Sequence, residues 1–200
     1  MLKKLVLFAR EYLVTCLTLF AVAAVAVGIL YPLLMTGISQ AAFNRQANGS
    51  IVKKNGKSVG SSLIGQSFED QTYFHGRPSA AGTNGYDAMA SGASNLGPTN
   101  PDLIKTVEKR ADEVRRENGL APNAKVPSDL VEASASGLDP DISPESARLQ
   151  VSRVAKARRL PEKTILKMVE SHTRKRQLGI LGEPRVNVLE LNLALNRLSR

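Results

Sequence analysis

The sequence lacks tryptophan and has a single cysteine, Cys16, among its 200 residues. The polar part of the chain therefore contains neither a disulfide nor a thiolate metal site. No Phe, Tyr or Trp follows Tyr86, so the basic C-terminal part lacks the aromatic side chains on which nucleic-acid bases stack. The net charge of +9, from 27 Lys and Arg against 18 Asp and Glu, thus does not indicate a partner of the nucleic-acid class.

Charge is also missing from one long stretch near the N-terminus, between Tyr12 and Asn44. Inside it, residues 13–35 form one apolar run, and about 20 apolar residues suffice for a helix to cross the hydrocarbon layer. Tyr31 lies near the far end, at the level where amphipathic rings favour the headgroups, and Pro32 should loosen the helix there. Since no second run of this kind follows, the sequence predicts a single membrane span and excludes a carrier with several spans.

A cleaved signal peptide is the alternative interpretation of the same run. The apolar region of such a peptide is about 7–15 residues long, which is shorter than this one. Ser39-Gln40-Ala41 nevertheless resembles a cleavage site. In that case the chain would be a secreted protein or enzyme of unknown type whose mature form starts near Ala42.

The distribution of Lys and Arg around the run predicts its orientation. Lys3, Lys4 and Arg10 precede the run, whereas the first base after it is Arg45. An excess of bases marks the cytoplasmic flank of a span, so we expect a cytoplasmic N-terminus and an exported C-terminal part. The predicted domains are a cytoplasmic tail at 1–11, a transmembrane helix at 12–35 and an exported, periplasmic domain at 36–200.

Within the run, Ala24 and Gly28 are four residues apart. This spacing of small residues lets another helix approach closely, although small residues are common in membrane spans in any case. The run carries no ionisable side chain that could relay an ion.

The exported part is predicted to be a mixed, helix-rich domain, which gives an α+β fold class. Asn55-Gly56 between two short β-branched runs predicts a hairpin. The following stretch, 60–97, is rich in Gly, Ser, Asn and Ala and is too long for a simple connection, so we expect it to be functional or wrapped over a partner. We expect the aromatic side chains Tyr73, Phe74 and Tyr86 to anchor it.

Helices predominate after this stretch, and each has a capping residue at its predicted start. Asn100, Ser143 and Asn187 are the predicted N-caps. The helix after Ser143 should run to about Arg159, and the cap at Asn187 favours a helix over a strand for the leucine-rich segment that follows. A short helix is also expected to start near 127–133.

Charge is unevenly distributed along this half of the chain. Residues 129–145 contain five acids and no base, and residues 148–178 contain ten bases and two acids. Two oppositely charged surfaces that stabilise each other are one interpretation, and a docking patch for an acidic partner is the other.

No arrangement of residues predicts an active site. Gly56-Lys57-Ser58 matches the end of a phosphate-binding loop, but Ile51 stands where that motif requires glycine. The two histidines, His75 and His172, are far apart in sequence and are therefore poor evidence for a metal site. We therefore predict no catalytic, cofactor-binding or metal-binding residue, and the residues alone indicate a membrane-anchored binding or assembly domain.

A set of segments in one fixed order nevertheless resembles a known family, the C chain (KdpC) of the bacterial Kdp potassium-transporting ATPase. The resemblance covers the span and nearly all of the exported part, with small departures at Ala93 and Asp141. The segments that carry it are Tyr31-Pro-Leu-Leu34, Gln46-Ala-Asn-Gly-Ser50, Gly60-Ser-Ser-Leu-Ile-Gly-Gln66, Tyr73-Phe-His-Gly-Arg-Pro-Ser79, Ser91-Gly-Ala-Ser-Asn-Leu-Gly-Pro-Thr-Asn-Pro101, Ala133-Ser-Ala-Ser-Gly-Leu-Asp139, Arg153-Val-Ala-Lys-Ala-Arg158 and Val186-Asn-Val-Leu-Glu-Leu-Asn-Leu-Ala-Leu195.

The resemblance implies a non-catalytic accessory subunit in the inner membrane. Its partners would be a potassium-conducting subunit (KdpA) and an ATP-hydrolysing P-type subunit (KdpB), and the complex rather than this chain would handle ATP and K+. The family is described as a catalytic chaperone that raises the ATP affinity of the hydrolysing subunit. We predict partner contacts in the span and in the glycine-rich stretch, at Ala24, Gly28, Gln66, Tyr73, Arg77 and Asn95.

The implied effect on ATP conflicts with the predicted topology, because ATP is cytoplasmic and 36–200 is placed outside. Either the effect is transmitted through the membrane subunits or the orientation is reversed, and the sequence leaves both open.

Overall fold

The computed structural model describes the backbone of residues 2–198 and the side chains of residues 10–198. The side chains of Lys3 and Lys4, and the final two residues of the predicted 36–200 domain, lie outside this range. The chain divides into two units, one ending at Ser50 and the other beginning at Ile51.

The first unit is helical. Helix α1 (Leu2–Val25), a π-helical turn (Ala26–Leu30) and α2 (Tyr31–Ala42) follow one another without a break, and a short α3 (Asn44–Ala47) follows. The segment Arg10–Ala42 is 33 residues long, is apolar enough to cross a membrane and is not buried by the rest of the chain. The one candidate span within the described residues is thus longer than the predicted 12–35.

The π-helical turn lies immediately before Pro32. A proline in a regular helix removes one backbone donor, and its ring clashes with the carbonyl four residues earlier, which here belongs to Gly28. In the structure the N–H of Tyr31 instead reaches the carbonyl of Ala26, five residues back. The predicted loosening therefore takes the form of a widened turn, and the helix continues beyond the proline.

The second unit begins with the predicted hairpin. Strands β1 (Ile51–Lys54) and β2 (Lys57–Ser61) pair antiparallel around a two-residue turn. Asn55 and Gly56 have φ values of 51° and 78°, as the primed hairpin turn requires. From Ser62 to Asn100 no helix or strand occurs, so the glycine-rich stretch is irregular throughout.

The rest of the second unit combines five helices with a small antiparallel sheet, as the α+β prediction required. The helices are α4 (Pro101–Glu117), α5 (Pro144–Leu149), α6 (Val151–Arg158), α7 (Glu162–His172) and α8 (Val188–Leu198). The strands are β3 (Asp141–Ile142), β4 (Thr173–Arg174) and β5 (Arg185–Asn187). They form a sheet in the order β3-β5-β4.

All three predicted N-caps are confirmed. The side-chain oxygens of Asn100, Ser143 and Asn187 each accept a hydrogen bond from a backbone N–H in the first turn, at distances of 2.8, 3.0 and 3.0 Å. The cap at Asn187 opens α8, which confirms the helical interpretation of the leucine-rich segment.

Two predicted helices differ from the structure. The helix expected from Ser143 to about Arg159 is interrupted at Gln150, which separates α5 from α6. Gln150 is buried, and its side chain bonds to the backbone of His75 in the glycine-rich stretch. The helix start expected near 127–133 is a single 3-10 turn, Ser128–Leu130.

The core of the second unit is aliphatic and lies between the sheet and α5–α8. It contains one aromatic ring, that of Phe74, which the glycine-rich stretch inserts into it with no exposed surface. The other buried members are Ile142, Ala147, Val151, Val154, Ala155, Ile165, Val169, Val186, Val188, Leu191 and Leu195.

Two acids of the acidic stretch 129–145 form ion pairs within the second unit. Asp139 pairs with Arg77 at 3.1 Å and Asp141 pairs with Arg185 at 2.9 Å. Both arginines lie outside the basic stretch 148–178. The direct ion pairs of these two acids are therefore made outside the basic stretch, while the charge of Arg174, inside that stretch, also favours the ionised form of Asp141.

Candidate docking site

Two side-chain amides fix the glycine-rich stretch to the helices. The side chain of Asn192 accepts from the N–H of Phe74 and donates to its carbonyl, both at 2.9 Å. The side chain of Gln150 does the same for His75, at 2.8 and 3.1 Å. The backbone N–H and carbonyl groups of two successive residues are thus hydrogen-bonded, although this segment pairs with no strand. Without these partners, burying the same groups would cost free energy.

Two arginines of α6 donate hydrogen bonds to the backbone of residues 71–73, just before Phe74. Arg153 is buried and donates to the carbonyls of Gln71 and Tyr73 at 2.7 and 3.0 Å. It also donates to the side chains of Gln150 and Asn118, at 2.7 and 3.0 Å. Burial lowers the pKa of Arg153, and the nearby Glu117 carboxylate partly offsets this.

The second of these arginines, Arg158, reaches the same segment from one turn further along α6. It donates to the carbonyl of Thr72 and to the side chain of Asn196, and its guanidinium lies 4.9 Å from the centre of the Tyr73 ring. A cation over an aromatic face is attracted by the ring quadrupole. Together the two arginines order a stretch that its own composition would leave flexible.

Three of the four predicted contact residues of the glycine-rich stretch bond to their own domain. Gln66 donates to the carbonyl of Val59 at 3.1 Å, and the hydroxyl of Tyr73 donates to Asn196 at 3.1 Å. Arg77 donates to the carboxylate of Asp139, as noted above. The stretch is therefore wrapped over its own domain in these places, and contacts of the same residues with a partner stay a prediction.

Arg77 and Asn95 differ from the other two. The Nε of Arg77 is buried and has no hydrogen-bond partner among the described residues. Asn95 is exposed, with a φ of 54° that its short polar side chain tolerates.

A cleft of about 340 Å³ lies beside His75 and is lined by charges of both signs, among them Arg77, Arg110 and Glu113. The Nδ1 atom of His75 is 3.5 Å from the carboxylate of Glu117. Burial and the charge of Arg153 nevertheless lower the pKa of His75, which favours the neutral form of its ring. Within residues 10–198 no group of three or more His, Cys, Asp or Glu side chains could hold a metal ion.

The clearest exposed apolar feature of the second unit is a tight loop between β4 and β5, which we call the apolar tip (177–182). Leu178, Ile180 and Leu181 expose 88%, 74% and 54% of their surface. Two backbone hydrogen bonds of 2.9 Å between Gln177 and Leu181 close the loop. An aliphatic cluster held this rigidly in water is typical of a surface that another molecule covers.

An ion pair of 2.7 Å between Arg176 and Glu183 lies at the base of the apolar tip. Sequence reasoning missed the tip because it treated 148–178 as a charged segment. The available signal was Leu178-Gly-Ile-Leu-Gly182, an apolar run bounded by charges.

Two predicted contact residues belong to the first unit. Ala24 lies just before the π-helical turn, and Gly28 lies within it. Apart from its two neighbours and the backbone of its own helix, no described atom lies within 4 Å of the position that a Cβ on Gly28 would occupy. The space beside Gly28 is thus open to another helix or to lipid. The hydroxyls of Thr15 and Thr18 donate to carbonyls one turn earlier, which satisfies the polar groups of the apolar segment internally.

A single family model matches the candidate span and the second unit, including the apolar tip. The sequence model of the K+-transporting ATPase c chain, KdpC, matches residues 13–197. This chain belongs to the KdpC family. The match includes the apolar segment and the whole second unit up to Arg197, so the family is defined by the anchored domain and not by the domain alone.

Individual relatives of the KdpC family agree with this assignment over nearly their full length. The chain is 56% identical over 189 residues to the potassium-transporting ATPase KdpC subunit of Gemmatimonas aurantiaca, covering 94% of each protein. It is 54% identical over 188 residues to the subunit of the same name from Acidobacterium capsulatum, covering 94% of this chain and 99% of that one. The KdpC subunit of Bradyrhizobium diazoefficiens is 52% identical over 192 residues.

Proposed function

We propose that this chain is the accessory subunit of a high-affinity, ATP-driven potassium uptake complex, with no catalysis of its own. Membership of the KdpC family makes it a subunit of a potassium-transporting ATPase. The observation that carries the accessory role is the pair of uncovered apolar surfaces, the segment Arg10–Ala42 and the apolar tip. One surface suits contacts inside the membrane and the other suits contacts outside the hydrocarbon layer.

The proposed partners are the potassium-conducting subunit (KdpA) and the ATP-hydrolysing subunit (KdpB) of the same complex. The small residues Ala24 and Gly28 would let a partner helix approach at the π-helical turn, where the chain leaves space open. The remaining contacts would involve the apolar tip and the exposed parts of the glycine-rich stretch, such as Asn95.

We place the protein in the inner membrane with its N-terminus in the cytoplasm and its second unit in the periplasm. The bases Lys3, Lys4 and Arg10 before the span support this orientation. The length of the helical segment also supports a retained anchor over a cleaved signal peptide, since 33 residues far exceed the apolar region of about 7–15 residues that such peptides have.

The proposed effect on ATP is indirect. Gly56-Lys57-Ser58, the only sequence match to a phosphate-binding loop, lies in the hairpin, where Gly56 forms the turn and Lys57 begins β2. We propose that the subunit acts as a catalytic chaperone by stabilising the conformation of the hydrolysing subunit that binds ATP better. Linkage then requires the converse, namely that ATP tightens the association of this subunit with the complex by the same factor.

Replacing Gly28 by leucine tests the proposed assembly inside the membrane. The leucine would fill the space that a partner helix needs, so we expect the yield of intact complex, purified in mild detergent through a tag on the hydrolysing subunit, to fall at least several-fold. The isolated chain should fold as before, because no described atom beyond the backbone of this helix comes within 4 Å of the added Cβ.

The matched control is Val27→Leu, one residue earlier in the same turn, which enlarges a side chain that is already 69% exposed. Equal recovery of complex with Gly28→Leu and with the control would show that this face meets lipid only.

A further inference from the structure

A second cleft, which we call the hairpin cleft, lies between the β1–β2 hairpin and α8. Its volume is about 320 Å³. Three of its lining side chains are the bases Lys53, Lys54 and Arg197, and the described residues that line it include no acid. The aliphatic side chains of Val52 and Leu193 complete its wall.

In the described part of the chain, no carboxylate neutralises the bases of the hairpin cleft. Among residues 10–198, no carboxylate forms an ion pair with Lys53, Lys54 or Arg197, whereas Arg174 and Arg176 each have one. The register of the hairpin also sets Lys54 directly opposite Lys57. Like charges in directly opposed positions destabilise a strand pair, so this concentration of charge favours an anion in the cleft.

A neutral donor adds to the positive charge. The side-chain oxygen of Asn196 accepts from the Tyr73 hydroxyl and from Arg158, both at 3.1 Å. These two donors fix the orientation of the amide, which leaves its N–H groups available to an acceptor in the cleft that Asn196 lines. Bases and an amide donor beside aliphatic carbon suit a phosphate that is attached to an apolar body.

Chain connectivity restricts where this cleft can be. Lys53 follows the end of the candidate span at Ala42 by eleven residues, and a fully extended chain covers at most about 3.5 Å per residue, or about 40 Å. Part of the connection is the compact helix α3, which shortens this reach. Chain connectivity therefore keeps the hairpin cleft within about 40 Å of the end of the candidate span.

We propose that the hairpin cleft binds the phosphate of an anionic phospholipid headgroup. The lysines and Arg197 neutralise the phosphate, Asn196 donates a hydrogen bond to it, and Val52 and Leu193 contact the glycerol and the first acyl carbons. Bases near an anionic membrane surface each contribute about fivefold to the binding constant.

The test is native mass spectrometry of the full chain released from detergent micelles doped with phosphatidylglycerol or phosphatidylcholine. We expect the chain to retain phosphatidylglycerol in preference to phosphatidylcholine. The triple variant Lys53→Gln/Lys54→Gln/Arg197→Gln should bind phosphatidylglycerol at least about tenfold more weakly. Arg197→Gln alone, which leaves the hairpin intact, should lose several-fold.

The matched control removes the same charge from exposed positions elsewhere, with Lys125→Gln/Lys163→Gln/Lys167→Gln, and should bind phosphatidylglycerol as the unmodified chain does. An equal loss in this control would overturn the proposal, because the attraction would then be to net charge alone. Displacement of phosphatidylglycerol by millimolar inorganic phosphate would also overturn it, since the cleft would then be a site for a soluble anion.

Discussion

Replacing Arg153 by methionine should destabilise the second unit by about 3–5 kcal/mol, the largest effect that we expect from a single substitution outside the hydrophobic core. Methionine preserves the aliphatic stem but removes every donor of the guanidinium. The carbonyls of Gln71 and Tyr73 would each lose a part-buried hydrogen bond, and the side chain of Gln150 would lose a buried one. Losing a partner in such a place costs more than the bond itself contributes.

Thermal unfolding of the full chain in detergent, followed by circular dichroism, measures this effect, and the midpoint should fall by roughly 10 °C. Limited proteolysis should cleave first within the glycine-rich stretch, because Arg153 orders residues 71–73 at its centre. The control Arg148→Met removes an exposed arginine from the neighbouring α5 and should leave the midpoint nearly unchanged. A drop of similar size in both variants would refute the specific role of Arg153.

Replacing all three aliphatic residues of the apolar tip by serine should prevent stable assembly of the complex while leaving the fold intact. Full burial of one aliphatic side chain contributes about 1.5–3 kcal/mol. The side chains of Leu178, Ile180 and Leu181 are largely exposed in the free chain, so a partner that covers them gains most of this amount. Even after the costs of association, we expect the subunit to bind at least about 100-fold more weakly.

The competing surface is the glycine-rich stretch, whose exposed apolar residues include Met89 and Leu96, at 95% and 40% exposure. The variant Met89→Ser/Leu96→Ser therefore serves as the comparison, with co-purification of the tagged complex as the measurement. Loss of complex in this variant, and not in the variant of the apolar tip, would move the docking surface to the glycine-rich stretch.

The features that could be predicted from the sequence are those specified by neighbouring residues. The hairpin turn needs only Asn55-Gly56, whose backbone tolerates positive φ, and the caps at Asn100 and Ser143 bond to N–H groups two or three residues away. The membrane segment likewise follows from composition alone, although its end at Ala42 does not. The disturbance of the helix by Pro32 could be predicted, but the π-helical turn could not, because a helix can widen by one residue instead of breaking.

The features that could not be predicted depend on partners distant in sequence. The amide of Asn192 binds the backbone of Phe74 across 118 positions, and that of Gln150 binds His75 across 75. No local sequence pattern shows that the side-chain amide of an asparagine or glutamine will pair with a distant backbone segment as a neighbouring strand would. The break between α5 and α6 has the same origin, since Gln150 lies at the junction and its side chain serves the glycine-rich stretch. The partner contacts predicted at Gln66, Tyr73 and Arg77 remain predictions.

The ATP dependence of hydrolysis tests the central proposal most directly. The two large subunits, purified without this chain, would be assayed over a range of ATP concentrations before and after the full chain is added in detergent. We predict that adding the chain lowers KM for ATP at least about fivefold, with a smaller change in kcat, and that the variant of the apolar tip has no such effect. An unchanged KM in an assembled complex that contains the intact chain would contradict the proposed role.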